Sequence, residues 1–188
     1  GFIAGDDVSI SAITGTFADE HVDTNIAVSF SDITYAGADK DNYTITNQAG
    51  TTADITQKDL TVSGITVSDK TYDSTTSATV SVTGISYSGL VDGDNFSVTA
   101  TGVFDNEHVG TQTVTLTETP LGTDVENYNI TYQASSSADI TARAITISGI
   151  TASDKVYDST TTATLDVDSI AGFIAGDDVS ISAITGTF

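Results

Sequence analysis

Residues 63–82 read SGITVSDKTYDSTTSATVSV, and residues 148–167 read SGITASDKVYDSTTTATLDV. Two copies of one sentence stand 148 − 63 = 85 residues apart, and self-similarity at a fixed period is the signature of a repeat architecture. Other landmarks keep nearly the same step. DNYTIT from Asp41 returns as ENYNIT from Glu126, FADEHV from Phe17 as FDNEHV from Phe104, and ADIT at Ala53 returns at Ala138. At two steps the copy is perfect: GFIAGDDVSISAITGTF occupies both Gly1–Phe17 and Gly172–Phe188. The chain therefore divides into 1–56, the back part of a first repeat; 57–141, one complete repeat; and 142–188, the front part of a third. It reads as a window on a longer array. The alternative reading is a subunit whose incomplete front and back are completed by neighbours, through strand addition at a sheet edge.

Within each unit the apolar residues alternate with Ser and Thr. Val80 and Val82 share one face of ATVSVTG, as do Phe96, Val98 and Ala100 in NFSVTATGV. Val114 and Leu116 do the same in QTVTLTET, and Tyr128, Ile130 and Tyr132 in NYNITYQ. Period-two alternation with β-branched residues marks half-buried antiparallel strands. Asp92-Gly93 and the stretches before Asn42 and Asn127 supply the turns between them. The fold expected is all-β: tandem antiparallel β-sandwich (Ig-like) repeats of about 85 residues forming an elongated rod, with β-grasp-like repeats as the alternative. Strand parity slips at Gly64 and again at Gly149, which predicts a bulge or a crossing between sheets there.

Composition narrows the function classes. The formal net charge is −21, with only Lys40, Lys58, Lys70, Arg143 and Lys155 basic, so no patch for nucleic acid can be assembled and an anionic membrane surface is repelled. No apolar run approaches the roughly 20 residues of a membrane span. The absence of Cys excludes disulfides, thiolate metal sites and cysteine nucleophiles.

The recurring signatures have structural readings first. GADKDNYTI at Gly37 and GTDVENYNI at Gly122 resemble tyrosine corners, in which the rings of Tyr43 and Tyr128 pack inside and their hydroxyls bond upstream backbone. Tyr72 and Tyr157 sit between a Lys and an Asp in K-x-Y-D-S-T-T. That motif is followed by G-D-[DN], by F-x-[DN]-E-H-V, by N-Y-x-I-T and by A-D-I-T. This succession resembles the YDG-type repeats of large bacterial surface proteins, including filamentous-haemagglutinin-like, two-partner-secreted adhesins. The resemblance spans the whole chain, although Ser74 and Ser159 stand where the motif has its Gly. It implies an extracellular stalk or adhesin segment on a bacterial surface.

Three further site readings arise. Asp6, Asp7, Asp92, Asp94, Asp177 and Asp178 lie on short Gly turns, where oxygen ligands for calcium often sit. Lys70 and Lys155 at one repeat position, with Asn42 and Asn127 at another, are the pairing an isopeptide crosslink requires. Asn42, Asn95 and Asn129 each begin an N-glycosylation sequon. His21 and His108 stand alone in their repeats and read as surface histidines at a strand entrance. No nucleophile elbow or base–orienter pair recurs, and no catalytic residue and no cofactor is assigned.

The expected function is non-catalytic: the stalk or fibre of an adhesin, partnered by neighbouring repeats, with a host surface or matrix ligand bound elsewhere in the full protein. Three alternatives stand beside it. Each repeat is itself a glycan- or host-protein-binding module, the chain self-assembles head-to-tail by strand donation, or the repeats are accessory to an enzyme.

Overall fold

A computed structural model describes residues 3–180 and 184–187. It is all-β. The helical content among the described residues is two single 3-10 turns, Lys40–Asn42 and Val125–Asn127, and no helix is long and apolar enough to cross a membrane. The packed helix of a β-grasp unit is not among these elements.

The chain folds as two compact units. The first comprises Gly1–Val62, Tyr87–Ser97 and Pro120–Thr131. It holds an antiparallel three-stranded sheet in which Asp23–Ala36 is central, flanked by Ser9–Phe17 and Gly50–Ile55. Asn25 and Asp32 adopt left-handed φ of 57° and 52° in that central strand, next to the register shifts of its two pairings. Asn and Asp tolerate this conformation better than other side chains, so the long strand bends without needing Gly. A second sheet orders Tyr128–Thr131, Lys58–Ser63 and Ser86–Ser88. Leu60, Val62, Phe96 and Tyr128 are buried in this unit. The Phe96 ring meets Tyr87 edge-on at 5.2 Å and Tyr128 at 6.0 Å, the tilted geometry that aromatic quadrupoles favour.

The second unit comprises Ser63–Ser86, Val98–Thr119 and Tyr132–Phe188. Its five-stranded sheet runs Lys70–Thr71, Ser135–Thr141, Gly110–Leu121, Ser97–Phe104, Ser77–Ala78. Val98, Val114 and Leu116, which the alternation marks, are buried along it together with Phe104, Ala138 and Ile140, whereas the marked Val82 and Tyr132 are 37% and 38% exposed. Two-stranded pairs join Thr66–Val67 to Val80–Ser81 and Thr146–Ala152 to Leu165–Ala171.

One expectation is corrected: the pairing is not antiparallel throughout. Tyr128–Thr131 runs parallel with Lys58–Ser63, placing Ile130 opposite Leu60, and Ser135–Thr141 runs parallel with Lys70–Thr71. Parallel neighbours need a long connection, and some 70 residues separate each pair. The strands of residues 57–141 divide between the two units.

Gly64 explains part of this division. It adopts φ +86° directly after Lys58–Ser63, and a Cβ there would stand 2.9 Å from the carbonyl oxygen of Gly84. The chain leaves one sheet at this residue and joins another at Thr66. Gly149, at φ +68°, stays inside the strand Thr146–Ala152, with Asp168 opposite.

Candidate functional site

The most constructed polar feature is the corner, present twice. In the middle repeat the Tyr128 hydroxyl accepts the Val91 N–H at 2.9 Å and donates to the Asp94 carboxylate. In the first segment the Tyr43 hydroxyl accepts the Ile3 N–H at 3.0 Å and donates to Asp6. Tyr128 is buried and Tyr43 half-buried. Both phenols are pushed up in pKa: Tyr43 chiefly by its bond to the Asp6 carboxylate, Tyr128 chiefly by burial and then by Asp94.

The rest of the motif serves the same corner. Asp124 accepts the Asn95 N–H at 2.7 Å, and Asp39 accepts the Asp7 N–H at 2.9 Å. Gly122 and Gly37 have φ of +133° and +110°, and a Cβ on them would overlap the carbonyl oxygens of Asn95 and Asp7 at 1.9 and 2.0 Å. In G-x-D-x-x-N-Y, Gly permits the close approach, Asp ties the neighbouring turn and Tyr locks it from inside.

A second feature joins residues from two repeats. The Asp19 carboxylate accepts the His21 N–H at 2.9 Å, and His21 Nδ1 lies 2.6 Å from the same oxygen. His21 Nε2 stands 3.7 Å from Asp124. The Val22 N–H donates to the Asn127 side chain at 3.0 Å, and the Gln57 side chain donates to the Glu126 carbonyl at 3.0 Å. Between these groups lies a cleft of about 540 Å³ whose lining includes Lys58, Asp92 and Asp94. His21 is raised in pKa by Asp19, which is itself lowered, first by the His21 N–H. His108 forms the same turn, its N–H donating to Asn106 at 2.9 Å, but Val109 beside it is 55% exposed.

The K-x-Y-D-S-T-T turns are local clamps. The Lys70 ammonium lies 2.6 Å from Asp73, donates to the Thr75 carbonyl at 2.8 Å, and sits 5.6 Å from the Phe104 ring centroid. Lys155 repeats the clamp on Asp158 at 2.8 Å and on Thr160. Asp73 and Asp158 are held below the usual carboxylate range, first by those lysines. Ser74 and Ser159 both adopt φ 59°, a left-handed position that suits the Gly of the motif better than Ser. The Tyr72 hydroxyl bonds Ser74 and Asp177, each at 3.0 Å, whereas Tyr157 is 88% exposed.

The structure gives these candidates other partners. The lysines of the isopeptide reading are committed to the turns that follow them. Asn42 donates to Asp39, and Asn127 receives Val22. Of the calcium candidates, Asp6 and Asp94 receive tyrosine hydroxyls, Asp7 receives the Ala38 N–H and Asp177 receives Tyr72 and Ser74. Asp92 and Asp178 are exposed. Among the described residues no three acidic or His side chains converge as a metal would require.

Glu118 is a polar site that the sequence reading passes over. One of its oxygens accepts the Gln133 N–H at 3.1 Å, and the other is buried without a partner. The Gln133 amide in turn spans the backbone of Ile65, accepting its N–H and donating to its carbonyl. The signal was available, since Glu118 shares strand parity with Val114 and Leu116. Burial raises its pKa. Between its ordinary and folded values the folded state holds more protons than the unfolded chain, so this group's contribution to stability falls as pH rises through that window. Glu118→Gln is expected to raise stability near neutral pH by about 1 kcal/mol and to leave it little changed at about pH 4. Denaturant unfolding at both pH values checks this. A variant no more stable at neutral pH would contradict it.

The YDG domain profile matches residues 1–53, 56–137 and 141–188. No curated protein and no solved structure matches the chain. Three consecutive matches cover nearly every residue, and the conserved-geometry turns described above lie inside them. The chain belongs to the YDG domain family.

Proposed function

We propose that this chain is a non-catalytic structural segment of a large extracellular bacterial surface protein, serving as stalk or fibre for an adhesin. Its Ig-like repeats would follow one another as a rod. The observation that carries the reading is the uninterrupted succession of YDG segments, with only two residues between the first and second matches. Short spacers of this kind leave little free chain between units. The bridge from Val22 and His21 to Asn127 and Asp124 supports it too, because it ties a loop of one segment to the corner of the next. The recurring Tyr, Asp and Lys side chains are spent on holding turns. A surface charge of −21 keeps neighbouring fibres apart in solution.

Small-angle scattering on chains lengthened by whole 171-residue periods tests the proposal. A rod adds the same increment to the maximum dimension with each period. A dimension that levels off as the chain collapses on itself would refute the stalk reading.

A further inference from the structure

The loop 19–22 lies in the first YDG match and the turn Val125–Asn127 in the second, yet both belong to the first compact unit. Two hydrogen bonds between uncharged groups join them, from the Val22 N–H to Asn127 and from the Gln57 side chain to the Glu126 carbonyl. The charges that meet at this joint are mostly of one sign. Glu20, Asp92, Asp94 and Asp124 line the cleft, and Lys58 is the one fixed cation among its described lining residues. Asp94 is already engaged by the Tyr128 hydroxyl. Closing the joint gathers carboxylates, and His21 is the group at its centre that can change charge near neutral pH.

Two carboxylates flank the His21 ring, and they play different parts. Asp19 is two residues away and holds both the His21 N–H and Nδ1, so it travels with the ring whether or not the loop is docked. Asp124 belongs to the other segment, and its carboxylate lies 3.7 Å from Nε2 in the docked arrangement. A neutral ring that keeps its proton on Nδ1, toward Asp19, turns the lone pair of Nε2 toward Asp124, which is repulsive. A second proton, on Nε2, makes the same approach an ion pair. The bond to the Asp19 carboxylate raises the pKa of His21, and the charges of Glu20 and Asp124 act in the same direction. Docking adds Asp124 to what Asp19 already supplies, so the docked state binds this proton more tightly than the open one. The stabilisation is therefore complete below the open-state value and is lost as pH rises through the docked-state value.

We propose that His21 is a proton-operated clasp between consecutive YDG segments: carrying both protons it draws the loop 19–22 onto Asp124, and deprotonation loosens the joint. Asp19 sets the pH at which the clasp opens, and Asp124 supplies the hold. The proposal rests on the contact between two segments within this chain and not on the stalk role. Its failure would leave the scattering test of that role standing.

Nuclear magnetic resonance of the 188-residue chain between about pH 5.5 and about pH 8.5 tests it. Protection of the Val22 amide, corrected for the pH dependence of intrinsic exchange, reads whether the joint is closed. The wild type is expected to lose protection about 3-fold across the range, the factor an exposed ion pair supplies, with its midpoint on the His21 imidazole titration. His21→Gln is expected to abolish the step. The Val91 amide, bonded to the Tyr128 hydroxyl, reports in the same spectra that the corner stays folded. Asp124→Asn keeps an acceptor for the Asn95 N–H and is expected to remove the step and to lower the His21 midpoint. Asp19→Asn is expected to keep the step and move it to lower pH. Val22 protection that is flat with pH in the wild type, a step that survives His21→Gln, or a His21 midpoint unmoved by Asp124→Asn would each overturn the proposal.

Discussion

Gly122→Ala is expected to destabilise the middle corner by about 3 kcal/mol, among the largest effects available to a single methyl group in this chain. The added Cβ would sit 1.9 Å from the Asn95 carbonyl oxygen, on a backbone already at φ +133°. That carbonyl belongs to the turn whose N–H is held by Asp124, so neither partner can move without breaking the tie. Gly93→Ala is the matched control. Gly93 has φ +98°, but a Cβ there meets nothing within 4 Å, so only the conformational cost of about 1 kcal/mol remains. Urea unfolding followed by far-ultraviolet circular dichroism measures both. Equal losses for the two variants would mean that the close approach of Gly122 to Asn95 does not hold the corner.

Leu60→Ala is expected to cost about 3–5 kcal/mol, while Ile145→Ala at the equivalent position of the third segment costs less than about 1 kcal/mol. The two positions occupy the same place in the YDG pattern. Leu60 is 0% exposed and Ile145 46% exposed, so truncation leaves a cavity at one and little change at the other. Both should be measured in dilute solution. A large loss at Ile145 would show that the third segment covers this residue.

Much of this architecture can be read from residues alone, and the limits are physical. Local signals were legible. Alternation located Val98, Val114 and Leu116, which are buried. The Gly, Asp and Tyr of G-x-D-x-x-N-Y each had a stereochemical reason, although the Asp6 and Asp94 partners of the tyrosines read as calcium ligands in sequence. A carboxylate on a Gly turn looks the same whether it awaits a cation or a phenol. The Lys–Asp clamp is likewise adjacent in sequence, but the carbonyls that hold Lys70 do not show in side-chain identity. Pairings across long separations were not legible. Nothing in the local period tells that Tyr128–Thr131 lies parallel to Lys58–Ser63, since alternation fixes which face is buried and leaves strand direction open. The contact of Val22 with Asn127 spans 105 residues and has no local trace. The identical stretches Gly1–Phe17 and Gly172–Phe188 fall partly on Gly1, Phe2, Ile181–Ala183 and Phe188, outside the described residues.

The account turns on one comparison: a corner strand completed by Lys58–Ser63 in the middle repeat and left outside any strand in the first segment. Amide hydrogen exchange in dilute solution reads this directly. Asn129–Thr131 are expected to exchange at least about 100-fold more slowly than Thr44–Thr46, because the former open only with the parallel pair and its buried Leu60. Equal protection of the two stretches at the lowest working concentration would contradict it.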